Sequence, residues 1–219
     1  TGAVTMYKLV VIALGAIGVI ALALSVFGIG SYSPLALLAS AAVAIVATMG
    51  TSVLIAKIVR AQPHLDSALI TSLLIFFIMM PTLEPLGLLG IAAAGLVANL
   101  SKFLLAVRRR HVLNPAAFGV FVVAIIAFTG FTGFGFAVWW LGSSTYLIPV
   151  AIGAFAVLYR TQRLTIGLIF VALTALGSVL YFLLVGESVV SALQFVFLSS
   201  PVVFFAGFSM SLLHRDEPP

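Results

Sequence analysis

Apolar residues run along this chain in long unbroken stretches separated by short polar breaks. They show neither the strict alternation of a half-buried strand nor the single stripe of a surface helix. Eight stretches stand out, at about 7–29, 34–57, 66–82, 86–107, 114–130, 136–159, 164–185 and 189–209. A helix needs about 20 apolar residues to cross a bilayer. Continuous runs rich in Leu and Ala favour helices over an alternating barrel. The pattern predicts an all-α polytopic membrane protein of about eight transmembrane helices, 1–219 forming one integral membrane domain. Almost nothing is left over for a soluble domain.

The charges then orient the helices. All ten basic residues, Lys8, Lys57, Arg60, Lys102, Arg108, Arg109, Arg110, Arg160, Arg163 and Arg215, lie at the two ends or in every second connection. The other connections, 28–34, 81–85, 130–135 and 186–188, carry no basic residue, and two of them carry Glu84 and Glu187. Lys and Arg in short loops stay on the cytoplasmic side. Both termini are therefore expected in the cytoplasm, and the chain in the cell (plasma or inner) membrane. The outer connections end their helices with Gly and Pro. The fifth, running from Thr129 to Phe136 and followed by Trp139 and Trp140, reads either as an aromatic belt or as a re-entrant loop lining a pocket.

Composition sharpens this. The 219 residues are 63% hydrophobic and 7% charged, with a mean hydropathy of +1.34, against about 25% charged in soluble domains. The net charge of +5 sits beside apolar runs, which points to anionic lipid headgroups and away from nucleic acid. With no cysteine, disulfides, thiolate-held iron–sulfur clusters and a cysteine nucleophile are excluded. Residues 9–29 are too long for the apolar core of a cleaved signal peptide and are expected to be a retained first span. The tail 210–219, polar from His214 on, is expected to fray.

Polar residues inside spans are costly and usually have work to do. One cluster is His64-Leu65-Asp66-Ser67 with Thr71 and Ser72. Asp66 and Ser67 can cap the start of the third span, or with Thr71 offer a face to a polar ligand. Met79-Met80-Pro81, closing that span, reads as core filling rather than metal binding. A second cluster is Lys102, Arg108, Arg109, Arg110, His111 and Asn114. The arginines can anchor topology or clamp a phosphate. Asn114-Pro115 reads as a helix cap and first turn, and Ala116, Ala117 and Gly119 let another helix or a flat ring approach. A third, Gly142-Ser143-Ser144-Thr145-Tyr146, can bond its own backbone or hold a ligand. The fourth, Ser199-Ser200-Pro201, predicts a helix broken inside the membrane, its hydroxyls taking the freed carbonyls. Three His and five acids are too few and too scattered for a hydrolase or a zinc site, so difficult chemistry would fall to a bound cofactor.

Three segments in order resemble the NqrB/RnfD family of membrane flavoprotein electron-transfer subunits. They are Asp66–Leu74 with Met80-Pro81, Arg110–Gly119, and Ser199–Phe208, together spanning about 65–209. The resemblance implies a 5+5-type inverted repeat. The first repeat would run about 6–130, and an incomplete second about 136–209, lacking the last helices. Ser67–Pro81 and Ser200–His214 lie five spans apart, and an odd number inverts the second copy. The chain thus stops short of the family fold, or is a shortened relative. The resemblance also implies a flavin, FMN or riboflavin, held by Asp66, Ser67, Thr71, Lys102, Arg109, Arg110, His111, Asn114, Thr145 and Ser200. Some members attach FMN to Thr in a Ser-Gly-Ala-Thr motif. Gly142-Ser143-Ser144-Thr145 departs from that motif, which implies noncovalent binding.

On this reading the chain is an oxidoreductase subunit that passes electrons from a cytoplasmic reductase, a ferredoxin–NADP reductase-like module or Rnf/Nqr-like subunits, to a quinone or outer acceptor. A small-solute or ion channel or transporter suits the same pattern, and so does a scaffold that orders other subunits.

Overall fold

A computed structural model describes residues 5–60, 62–107, 110, 111 and 113–209; of Phe103, 106, 107, 110, 111, Thr132 and Ser209 it describes the backbone alone. The helices are α1 (Met6–Val26), α2 (Pro34–Ile58), α3 (Leu65–Ile78), α4 (Pro85–Leu104), α5 (Pro115–Phe128), α6 (Ser144–Arg160) and α7 (Leu164–Leu184). They are followed by α8 (Val189–Gln194), continued as a π-turn over Phe195–Ser199, and α9 (Val202–Phe204), continued over Phe205–Ser209. Between α4 and α5 a two-residue antiparallel ribbon pairs Ala106 with His111 and Val107 with Arg110. Among the described residues the regular structure is otherwise helical, apart from one isolated bridge.

Four helices, α1, α2, Pro85–Lys102 of α4 and α7, are long and apolar enough to cross a membrane. The bent pair Val189–Ser199 and Val202–Phe208 makes a fifth if taken as one span. Leu65–Ile78, Pro115–Phe128 and Ser144–Arg160 are shorter apolar helices. The spans expected from sequence begin and end close to these helices, with one clear difference. The sixth starts at Ser144, not 136, because residues 136–138 pair with the end of α3 and the chain turns at Trp140. The large apolar residues left uncovered, such as Leu184 and Phe128 at 87% exposure, exceed what a water-facing surface tolerates. They fit a multi-pass protein in lipid.

The chain divides into two compact units, Leu14–Trp140 and a second made of residues 1–13 with Leu141–Pro219. In the first, α2 buries Ala36, Ser40, Ala44, Thr48, Ser52 and Ala56, a stripe of small residues at every fourth position that lets neighbouring backbones come close. α4 and α5 run antiparallel. A Cβ on Gly119 would strike the Ala94 carbonyl and sit 3.1 Å from the Ala98 Cβ, while one on Gly90 would sit 3.6 Å from Val123 Cγ1.

The return segment after α5 closes the end of α3. A helix leaves its last four carbonyls without helical partners. Here Ile75 O accepts from Met79 N at 2.8 Å and Ile78 O from Val138 N at 2.8 Å. Phe76 O accepts from the Trp140 indole Nε1 at 2.9 Å. Met80 N donates to Phe136 O at 3.0 Å, completing the bridge Met79–Ala137. Trp140 is 5% exposed and packs against Tyr32, Phe76 and Phe77. It is a core residue of this unit, whereas a belt residue would face outward.

In the second unit, α7 buries only Gly167, and a Cβ on Gly207 would overlap Ala154 of α6. The α8–α9 break falls at Ser200-Pro201, as its sequence predicts, with a bend of 53°. Ser200 N bonds Phe195 O at 2.8 Å in π register. The next such bond would run from residue 201 to Val196, but proline has no N–H. The Ser200 hydroxyl takes that carbonyl instead, at 2.9 Å.

Candidate functional site

The polar end of the first unit gathers the start of α3, the end of α4 and the start of α5. The residue preceding α3 is His64, which makes no side-chain cap. The expectation that Asp66 and Ser67 cap this helix is therefore corrected: the helix starts at Leu65, so both lie inside its first turn. Asp66 is exposed there, and Ser67 is half-buried. Lys102, in the last turn of α4 where a cation suits the helix dipole, reaches across to α3. Its Nζ lies 3.4 Å from both the Ser67 carbonyl and the Ser67 hydroxyl. The Thr71 hydroxyl donates to the same carbonyl at 2.8 Å, as expected for residues one turn apart.

Asn114 caps α5 as its sequence predicts, Oδ1 accepting from Ala116 N at 3.0 Å and Ala117 N at 3.4 Å. Gly119 lies opposite Ala94 and Ala98 on the antiparallel α4. Asn114, nearly one and a half turns earlier in α5, therefore falls at the level of Lys102, about as far beyond Ala98 in α4. The structure thus brings Ser67, Thr71 and Lys102 into one cluster with Asn114 at the same end. Arg109 lies outside the described residues. Arg110 and His111 are placed by their backbone in the ribbon, just before Asn114.

Thr145 and Ser200 belong to the second unit. Thr145 is exposed in the first turn of α6, and the Ser200 hydroxyl is engaged with Val196. Among the described residues no group of three or more His, Cys, Asp and Glu is placed to hold a metal ion.

A second polar cluster escaped the sequence reading. Asn99 of α4 is 1% exposed and Thr48 of α2 fully buried. The Asn99 Nδ2 donates to Thr48 O at 2.6 Å and to Thr51 Oγ1 at 2.7 Å. The available signal was a carboxamide inside an apolar run, one turn from Lys102.

The fold defines a helical protein with four or five helices suited to a bilayer. Compared with protein-family models, with curated proteins and with solved structures, the chain matches none.

Proposed function

We propose that this chain is a membrane electron-transfer subunit of the NqrB/RnfD kind, holding a noncovalent flavin at the polar end of α3, α4 and α5. The observation that carries the reading is the Lys102–Ser67 contact. It draws the Asp66–Leu74 segment to the end of α4, at the level where the Arg110–Gly119 segment begins. The donor set suits a flavin. Lys102 has three N–H donors, and its two contacts with Ser67 are long. The start of α3 has no side-chain cap, so its free N–H groups favour an anion or carbonyl oxygen. Thr71 has committed its hydrogen and can only accept. Lys102, Ser67 and the first turn of α3 would hold the ring or a phosphate, with Arg109, Arg110 and His111 as further hydrogen-bond donors to the phosphate and Asn114 fixing the helix beside it. When bound, the flavin supplies electron transfer that no side chain here can perform. A cytoplasmic reductase would donate and a quinone or outer acceptor would receive.

In this reading all eight apolar segments cross the membrane, with both termini cytoplasmic, as a 5+5-type inverted-repeat fold that lacks the last helices of its second repeat. The short α3 is compatible with a crossing because extended residues 79–81 continue it. Non-helical backbone at membrane depth is tolerated where protein covers it, and Met79 and Pro81 are buried.

The test is flavin content after extraction in mild detergent. The wild-type chain should be yellow and release flavin in acid, and Lys102→Gln should lose most of it while keeping its elution profile. Colourless wild-type protein with no acid-released flavin would sink the proposal. The break in α8–α9 favours a second reading, a small-solute or ion transporter. Flux into liposomes by flavin-free protein would select it.

A further inference from the structure

Where Lys102 stands depends on the register of α4 along α2, and the small-residue face of α2 does not fix that register. Its buried Ala36, Ser40, Ala44, Thr48, Ser52 and Ala56 recur at every fourth position, about 6 Å of rise. A stripe that repeats itself offers α4 much the same packing one turn up or down. Ser40 ties α2 to the chain before α4, its hydroxyl accepting from Thr82 N at 3.0 Å and donating to Thr82 O at 3.3 Å. Thr82 precedes the helix, so this tie does not reach the end that carries Lys102. Asn99 does. Its Nδ2 donates to Thr48 O at 2.6 Å and to Thr51 Oγ1 at 2.7 Å, a carbonyl and a hydroxyl three positions apart on α2. One turn either way the matching pairs are Ala44 with Ala47 and Ser52 with Ile55, which lack that hydroxyl. The observed register alone serves both N–H groups.

Stability alone does not ask for this asparagine. Asn99 Oδ1 is buried with no hydrogen-bond partner among the described residues, and an acceptor left so is destabilising. A leucine of the same shape would avoid that and strand nothing on α2. Thr51 Oγ1 donates to Ala47 O at 2.7 Å, and Thr48 O also accepts from Thr51 Oγ1 at 3.1 Å. We propose that Asn99 is a positioning residue, which selects the α2–α4 register and thereby sets Lys102 against Ser67. A buried asparagine fixes register in coiled coils in the same way. Asn99 and Lys102 lie three residues apart on adjoining parts of the α4 surface, so α2 holds the one while α3 meets the other. A slip of one turn would carry the Lys102 backbone about 6 Å along the seam, out of line with Ser67. The consequence for flavin rests on the electron-transfer reading above; the register role does not.

The chain has no cysteine, so Ser67→Cys with Lys102→Cys reports the register through a short bifunctional maleimide. Cross-linking should be efficient with Asn99 in place and fall several-fold when Asn99→Leu is added. Thr51→Val should lower it too, and Thr51→Ser, which keeps the hydroxyl, should not. In chains that keep Lys102, Asn99→Leu should lose most of the flavin while the unfolding temperature holds or rises. A lower unfolding temperature with flavin and cross-linking kept would overturn the proposal and leave Asn99 a merely structural residue. Equal cross-linking in Thr51→Val and Thr51→Ser would overturn it whether or not Asn99→Leu folds. Colourless wild-type protein whose cross-linking still depends on Asn99 would support the register role and sink the flavin reading alone.

Discussion

At the scale of single residues, backbone approach decides more than chemistry. Replacing Gly119 by Ala gains helix propensity, about 1 kcal/mol. The added Cβ also meets the Ala94 carbonyl, a helical oxygen that cannot swing aside, and overpacking of that kind costs about 1–3 kcal/mol. The clash, with backbone and not a movable side chain, should win, and Gly119→Ala should lower unfolding stability in detergent by up to about 2 kcal/mol. Gly177 in α7 has nothing within 4 Å of its would-be Cβ, so Gly177→Ala should be neutral or slightly stabilising in the same measurement. A loss at both positions would show that propensity and clash are not the competing terms. Residue-scale legibility followed the same line. Asn114-Pro115 declares its cap because a local bond suffices to define it. Asn99 was missed because its partners, Thr48 and Thr51, lie some fifty positions away in sequence.

At the scale of elements, the break before α9 is a local exchange of one donor for another. Pro201 withholds the N–H that the π register would send to Val196 O, and the Ser200 hydroxyl supplies the bond at 2.9 Å. Ser200→Ala should leave that carbonyl unpaired at a cost of about 1–3 kcal/mol. Pro201→Ala restores an N–H, so the same serine change should cost clearly less in that background. Unfolding of the two single variants and the double variant measures the coupling; additive losses would mean that Ser200 does not stand in for the missing donor. The break was legible because Ser and Pro mark it within one turn. The closure of α3 by residues 136–140 was not. That stretch continues the apolar pattern of the sixth span, and only tertiary pairing, through Val138 N and the Trp140 indole, takes it out of the helix.

At the scale of the whole molecule, the open quantity is the number of crossings, and parity decides it. Hydropathy made the apolar runs plain, but length separates α1, α2, α4 and α7 from the shorter Leu65–Ile78, Pro115–Phe128 and Ser144–Arg160. At 14 residues, α3 and α5 rise only about 21 Å, short of the roughly 30 Å apolar core. They cross only if the bilayer thins or buried extended chain completes the passage. Six helices, α2 to α7, lie between Ser31 and Glu187. If all six cross, the two positions share the outer face. If the three short ones do not, only α2, α4 and α7 cross, and the positions face opposite sides. The chain has no cysteine, so Ser31→Cys and Glu187→Cys can each be labelled without background. On intact cells an impermeant maleimide should reach both, and should miss Gln62→Cys in the basic connection after α2. Labelling of Ser31→Cys but not Glu187→Cys would reduce the crossings between them to an odd number. It would also remove the inverted-repeat geometry on which the electron-transfer reading leans.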